Sequence, residues 1–364
     1  MKNLIENSGE LKPIAEKVIR GERLTIEDGI ALYHSNNLGV LGSLALYKKN
    51  QVSGNKVYFN RNFHIEPTNI CTYACKFCSY RRKAGQQDAW DYSITEMVDI
   101  CKKYTGKGIT EVHIVGGVNP DKDLHFYGTL MQEVKKIFPD AHIKGFTAVE
   151  LDYIIRKAGY SLEQGLQKLK EYGLNSIPGG GAEIFDPEVR KRICDEKASS
   201  DLWLTIHETA HNNGLPSNAT MLYGHVETYE HRIDHLNKLR QLQDKTGGFN
   251  AFIPLKYKKE NNSMGQIGEI NTMEVMKNFA VCRLFLDNIP HIKSYWPMLG
   301  KNTAQMALNF GADDMDGTID DSTKIYSMAG SEETSPSMTT NEMNDLIVEA
   351  GFTAVERDSL YNEI

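Results

Sequence analysis

From residue 62 onward, short apolar runs rich in β-branched residues alternate with longer amphipathic stretches, the pattern of repeated βα units. Strands are expected near 63–66, 111–115, 142–146, 176–178, 218–223, 251–255, 291–295 and 313–316. Eight such segments predict an α/β fold, a (β/α)8 barrel of the TIM type, whose roughly 250 residues leave room in this chain for appended pieces. Helices are expected between the strands. In 93–104, Ser93 is followed three residues later by Glu96, as in a capping box, and in 161–172, Leu162, Leu166 and Leu169 recur at helical spacing. Residues 1–61 carry helical signals at 25–35 and 38–49 but no barrel-like strand, and read as a helical extension. Residues 62–330 form the expected barrel core. Residues 331–364 begin in a polar, turn-forming run and read as a loop and a helix, 341–350, packed on the barrel.

Lys and Arg total 41 against 48 Asp and Glu, a formal charge of −7. This balance argues against general affinity for nucleic acid or anionic lipid and favours a small ligand. No stretch approaches the roughly 18 continuous apolar residues of a membrane span, and the N-terminus lacks an apolar leader core, so a cytoplasmic enzyme is expected. Six cysteines in a chain this long are not a disulfide framework, and three of them, Cys71, Cys75 and Cys78, fall within eight residues. That clustering points to a metal. Cys101, Cys194 and Cys282 are scattered among helical patterns and read as ordinary thiols.

The cluster of cysteines follows the first expected barrel strand, in the loop face where such barrels build active sites. Thiolates suit iron–sulfur clusters, but clusters that only carry electrons normally have four protein ligands. Three close ligands leave one iron of a 4Fe-4S cluster open. An open iron can chelate S-adenosylmethionine (SAM), so that an electron from the cluster breaks the sulfonium bond and releases a deoxyadenosyl radical. Phe77, just before the third cysteine, is placed to shield the cluster and contact the adenine; ordinary loop packing is its alternative. Structural zinc would need a fourth ligand, from His64 or Cys101.

Further candidates lie at the ends of later strands. Gly116 and Gly117 would let the SAM amino group approach the backbone, and Glu150 and Glu183 would hold ribose hydroxyls unless they only start helices. Thr220, Tyr223, Lys256, Lys293 and Asp316 are expected to bind substrate, with His225 and Tyr295 in catalytic positions beside the three cysteines. This collection suits an aromatic, carboxylated substrate next to a nucleoside, with cations pairing its carboxylates. Strand alternation sends some of these side chains outward instead. A rival reading is His207-Glu208-Thr-Ala-His211, which matches the HExxH pattern of zinc hydrolases and has Gly214 in place. The extended pattern then requires a histidine where this chain has Ser217, and the motif falls before a strand, at the face opposite the expected active site.

With these residues in view, the sequence resembles the radical SAM enzymes of the futalosine route to menaquinone. The likeness runs from about residue 20 to the end and is carried by 64–78, Pro178-Gly-Gly-Gly-Ala-Glu-Ile184, 217–225, 247–255, 286–296 and Asp316-Gly-Thr318. A sister branch, whose radical abstracts a ribose hydrogen and closes a ring, typically has Gln in place of the Pro-His-Ile-Lys run at 290–293 and a different segment at Met315–Thr318. Where the family commonly has a Glu-Glu pair, this chain reads Ile319-Asp-Asp-Ser-Thr-Lys324. The resemblance implies that the deoxyadenosyl radical adds to the enolpyruvyl double bond of 3-[(1-carboxyvinyl)oxy]benzoate. Aryl migration and loss of carboxylate would then give 6-amino-6-deoxyfutalosine, with methionine as co-product. It also implies a one-electron donor such as flavodoxin or ferredoxin.

Overall fold

A computed structural model describes residues 2–364. Among the described residues there are nine strands: β1 (Lys56–Asn60), β2 (Asn62–Ile65), β3 (Glu111–Ile114), β4 (His142–Gly145), β5 (Ser217–Tyr223), β6 (Phe249–Lys256), β7 (His291–Ile292), β8 (Asp314–Gly317) and β9 (Thr353–Glu356). All pairings between them are parallel. β2, β3 and β4 are neighbours, as are β5, β6 and β7. The gap between these groups is spanned by the bridges Lys144↔Ser176 and Ile177↔Ser217, and the next gap by Lys293↔Asp314. The segment expected as a strand at 176–178 is thus reduced to bridging residues. Between β8 and β2, Thr318 Oγ1 donates to the Asn62 carbonyl at 3.1 Å, which closes the barrel.

Two expectations about the ends of the chain are corrected. Residues 1–61 do contain a strand, because β1 runs on into β2 with only Arg61 between them. The Arg61 carbonyl accepts from Thr110 N–H at 2.9 Å, and this kink lets one chain pair with β8 below and β3 above. The C-terminal piece adds a strand to its loop and helix, β9, which pairs with β1. Beyond it, Arg357 and Ser359 are buried at the barrel floor.

Local signals account for the surrounding helices. Ser93 and Glu96 form the expected capping box on Ile94–Lys102, and Ser161 with Gln164 does the same for Leu162–Glu171. Leu166 and Leu169 are buried against the barrel. The N-terminal helices Ile26–His34 and Leu38–Ser53 start at side-chain caps from Thr25 and Asn37, and both contribute to the same apolar core as the barrel helices.

The floor of the barrel is polar. Strands of a covered barrel usually read as nearly continuous apolar runs, but β2, β3 and β4 alternate, and their register aligns Asn62, Glu111 and His142 in one layer and His64, His113 and Lys144 in the next. The alternate residues Phe63, Val112 and Ile143 are fully buried in the apolar core. Interior charges are paired: Lys144 with Glu111, Lys293 with Asp316 at 2.6 Å, and Arg357 with Asp314 at 2.6 Å. Burial opposes the charges on Glu111 and Asp316, yet the facing cations hold both carboxyls below their ordinary range. Removing one partner strands a buried charge. Arg357→Leu is expected to lower unfolding stability by about 3–5 kcal/mol, measured by urea denaturation.

Candidate active site

The loop after β2 carries the three thiols and is fixed by its backbone. Cys71 N–H donates to the Arg82 carbonyl at 3.1 Å, Thr72 N–H to Val118 at 2.9 Å, and Lys76 N–H to Ile193 at 2.8 Å. Trp90 closes it from behind, donating from Nε1 to the Glu66 carbonyl at 3.0 Å and from its backbone to Asn69 Oδ1 at 2.8 Å. Burial pushes the Cys75 thiol up to about 12 and raises Cys71 and Cys78. Three thiolates here therefore need bound cationic metal, which deprotonates a coordinating thiol outright. Among the described residues, no three His, Cys, Asp or Glu side chains surround a single ion. In a 4Fe-4S cubane each of three clustered thiolates would take its own iron. Cys101, Cys194 and Cys282 are all buried, and Cys194 lines a small cavity together with Cys75.

The glycine pair is needed for close packing. A Cβ on Gly116 would stand 2.8 Å from the Thr68 carbonyl oxygen, and one on Gly117 only 2.3 Å from that of Ile70. The pair thus lets β3 run directly beneath the cysteine loop. Gly116 N–H donates to Glu150 Oε1 at 3.0 Å, while Glu150 Oε2 accepts from Thr147 N–H at 2.7 Å. Glu150 takes the helix-start position that was the alternative to a ribose contact. Both its oxygens are engaged in capping the helix Ala148–Lys157 and holding the Gly116 turn.

Glu183 is placed differently. It sits in the left-handed region at φ 48°, lines a cavity of about 180 Å³ with Phe77 and Cys78, and pairs with Lys197. Burial works against the Lys197 charge, but Glu183 and Cys75 hold the ammonium above its ordinary value. Its Nζ lies 5.1 Å from the Phe77 ring centroid. Sequence reasoning missed Lys197, whose only local signal is a cation in a turn after a helix.

Below the loop, a cavity of about 160 Å³ opens inside the barrel. His64, His113, Lys144, Thr220, Tyr295 and Asp316 are among the residues that line it. Thr220 faces it, but its hydroxyl donates to the Gly179 carbonyl at 2.8 Å. Neither expected cation lines this cavity: Lys293 is buried against Asp316, and Lys256 lines the cavity beside Cys78, where it shares Glu269 with Lys258. Two expectations fail on geometry. Tyr223 does not line the cavity but packs beneath Arg232, 5.3 Å from its ring centroid, because strand parity turns it toward the helix Tyr229–Thr246. His225 lies outside the cavity too, with Nε2 3.0 Å from the Leu222 carbonyl and Nδ1 3.2 Å from Glu227, so the catalytic role expected for it is corrected to anchoring the turn after β5.

The HExxH histidines form a buried brace. His207 Nδ1 and His211 Nε2 each lie 2.8 Å from Ser217 Oγ, and His211 Nδ1 lies 2.7 Å from Thr246 Oγ1. Ser217 begins β5, so this group sits at the opposite end from the cysteine loop. Burial drives His207 well below its ordinary range and lowers His211 to about 4. Neutral, hydrogen-bonded rings stitch helix to strand here.

The close approach at Gly117 yields a test of the cysteine loop. Gly117→Ala is expected to keep the parent far-ultraviolet circular dichroism, to cost about 1–3 kcal/mol of stability, and to take up less iron on anaerobic reconstitution, read by metal analysis.

Comparison with known proteins agrees with this geometry. Residues 65–239 match the Radical SAM superfamily, and residues 246–364 match the CofH/MqnC C-terminal region. The chain is 43% identical over 358 residues to the aminodeoxyfutalosine synthase of Thermus thermophilus, covering 97% of this chain and 96% of that one. It is 34% identical over 361 residues to the cyclic dehypoxanthine futalosine synthase of Streptomyces coelicolor, covering 98% and 89%. The crystal structure of methylornithine synthase superposes with a TM-score of 0.74 at 19% identity, covering 93% of this chain and 96% of that one, a likeness of fold. The chain belongs to the radical SAM superfamily and, within it, to the family of the aminodeoxyfutalosine synthases.

Proposed function

We propose that this chain carries out the reaction of the aminodeoxyfutalosine synthases: SAM and 3-[(1-carboxyvinyl)oxy]benzoate are joined to give 6-amino-6-deoxyfutalosine, with release of methionine and loss of one carboxylate. The observation that carries this reading is the near full-length identity of 43%, against 34% to the cyclising relative. The chemistry of the site supports it. A 4Fe-4S cluster on Cys71, Cys75 and Cys78 supplies, when bound, the electron that cleaves SAM into methionine and a deoxyadenosyl radical. The protein contributes position and shielding. Phe77, Gly181 and Glu183 line the space beside the third cysteine, where a nucleoside would lie.

Deeper in, Val115, Ile253, Leu255, Tyr295 and Ile325 give the barrel cavity apolar walls suited to a benzene ring. Such walls exclude water and hold the alkene for addition in preference to hydrogen abstraction. The one-electron donor is a small carrier such as flavodoxin or ferredoxin. No described helix is long and apolar enough to cross a membrane.

The test is a single turnover of reconstituted enzyme with reductant, SAM and the enolpyruvyl ether. The expected product is an adenine-containing adduct formed one for one with methionine. Free deoxyadenosine without that adduct overturns the reading and favours hydrogen abstraction.

A further inference from the structure

The barrel floor holds three buried cations, Lys144, Lys293 and Arg357, and three buried anions, Glu111, Asp314 and Asp316, paired with one another. Their charges balance before any substrate enters. Between them lie two imidazoles from adjacent strands in register, His64 and His113, with ring centroids 4.4 Å apart. His64 is only 3% exposed, and neither of its ring nitrogens has a hydrogen-bonding partner in the protein; His113 Nε2 has none either. Both residues line the cavity beneath the cysteine loop. Orphaned buried nitrogens at a ligand chamber are the unusual feature of this interior, since buried polar groups are nearly always paired.

We propose that the His64–His113 pair is the binding subsite for the ring carboxylate of an aromatic acid, and that it takes up one proton when that carboxylate arrives. The proposal rests on the reaction assigned above and identifies which part of the substrate the barrel floor reads. Lys293 is buried between Asp314 and Asp316, and Lys256 lines the separate cavity beside Cys78, so neither lysine expected to serve lines the chamber that His64 and His113 share. Adding a carboxylate to a balanced interior leaves one negative charge in excess, and a buried charge without a counter-charge is costly. One proton added to two neighbouring neutral imidazoles supplies that counter-charge and raises their N–H groups from two to three. The cavity walls above the pair are apolar and suit the ring to which the carboxylate is attached.

The surroundings fit a pair that is neutral when free. Burial lowers His64 to about 4 and also drives His113 well below its ordinary value. Glu111 and Asp316 pull toward protonation, and Lys144 and Lys293 push against it. On the far side of His64, Ser322 Oγ accepts from its backbone N–H at 2.7 Å, Lys324 pairs with Asp321 at 3.0 Å, and the Glu66 carboxyl is raised to about 7 by burial. None of these groups bonds the ring nitrogens. A carboxylate within a few ångströms is the missing influence that favours imidazolium.

The experiment is calorimetry at pH 7.5 on cluster-loaded, unreduced enzyme with SAM, in two buffers of different ionisation heat. 3-Hydroxybenzoate is the probe and phenol its carboxylate-free control, so no turnover is involved. The expected result is uptake of about one proton per 3-hydroxybenzoate bound, following the charge count above, with no uptake and at least tenfold weaker binding for phenol. His64→Gln/His113→Gln is expected to bind 3-hydroxybenzoate no better than phenol, while SAM still shifts the electron paramagnetic signal of the reduced cluster. Binding of 3-hydroxybenzoate to wild type without proton uptake, or with phenol equally tight, overturns the proposal whatever the variant does. Failure of the adduct to form, with this uptake intact, refutes the reaction and leaves the subsite standing.

Discussion

The interior of this barrel depends on one requirement: charges taken out of water must find partners. Glu111 and Lys144 project inward from adjacent strands, Lys293 stands between Asp314 and Asp316, and Arg357 comes from the far C-terminal segment to complete the set. Ser359, two residues on, donates to Glu111 Oε2 at 2.7 Å. The chain end is therefore part of the barrel floor. The network spans β3, β4, β7 and β8 and fixes where the cavity ends.

Above that floor the cysteine loop is held by a second set of constraints, mainly backbone to backbone. Glycines at 116 and 117 bring the turn after β3 within contact of the loop carbonyls, Glu150 braces that turn, and Trp90 closes the rear. Glu183 and Lys197 stand beside Phe77 as a buried ion pair facing the thiols. A radical enzyme needs its cofactor fixed relative to its substrate, because small displacement changes which bond reacts. Here the cysteine loop and the barrel cavity rest on neighbouring strands of one barrel.

Much of this was legible in the sequence. The βα alternation, the capping box at Ser93, the leucine spacing of 162–169 and the cysteine spacing are local signals, and local physics produces them. What escaped was set at long range or by parity. Tyr223 and Thr220 are three residues apart on one strand, and only pairing and twist decide that Thr220 faces the cavity and Tyr223 the helices. β1 was hidden because it reads as a prelude to β2 and gains its meaning from β8 and β9, hundreds of residues away. One missed signal was local. Asn-Phe-His-Ile, Glu-Val-His-Ile and His-Ile-Lys-Gly alternate polar and apolar residues in strands that a barrel covers on both sides. Such alternation in a parallel barrel marks a polar chamber, and it points directly to His64, His113 and Lys144.

The central claim is that Cys71, Cys75 and Cys78 alone hold a cluster with one iron open to SAM. Electron paramagnetic resonance of the anaerobically reconstituted, reduced protein tests it most directly. The account predicts a 4Fe-4S signal whose g-values shift when SAM is added, and loss of that signal when the three cysteines are changed to alanine. A signal indifferent to SAM, or one that survives the triple substitution, would contradict it.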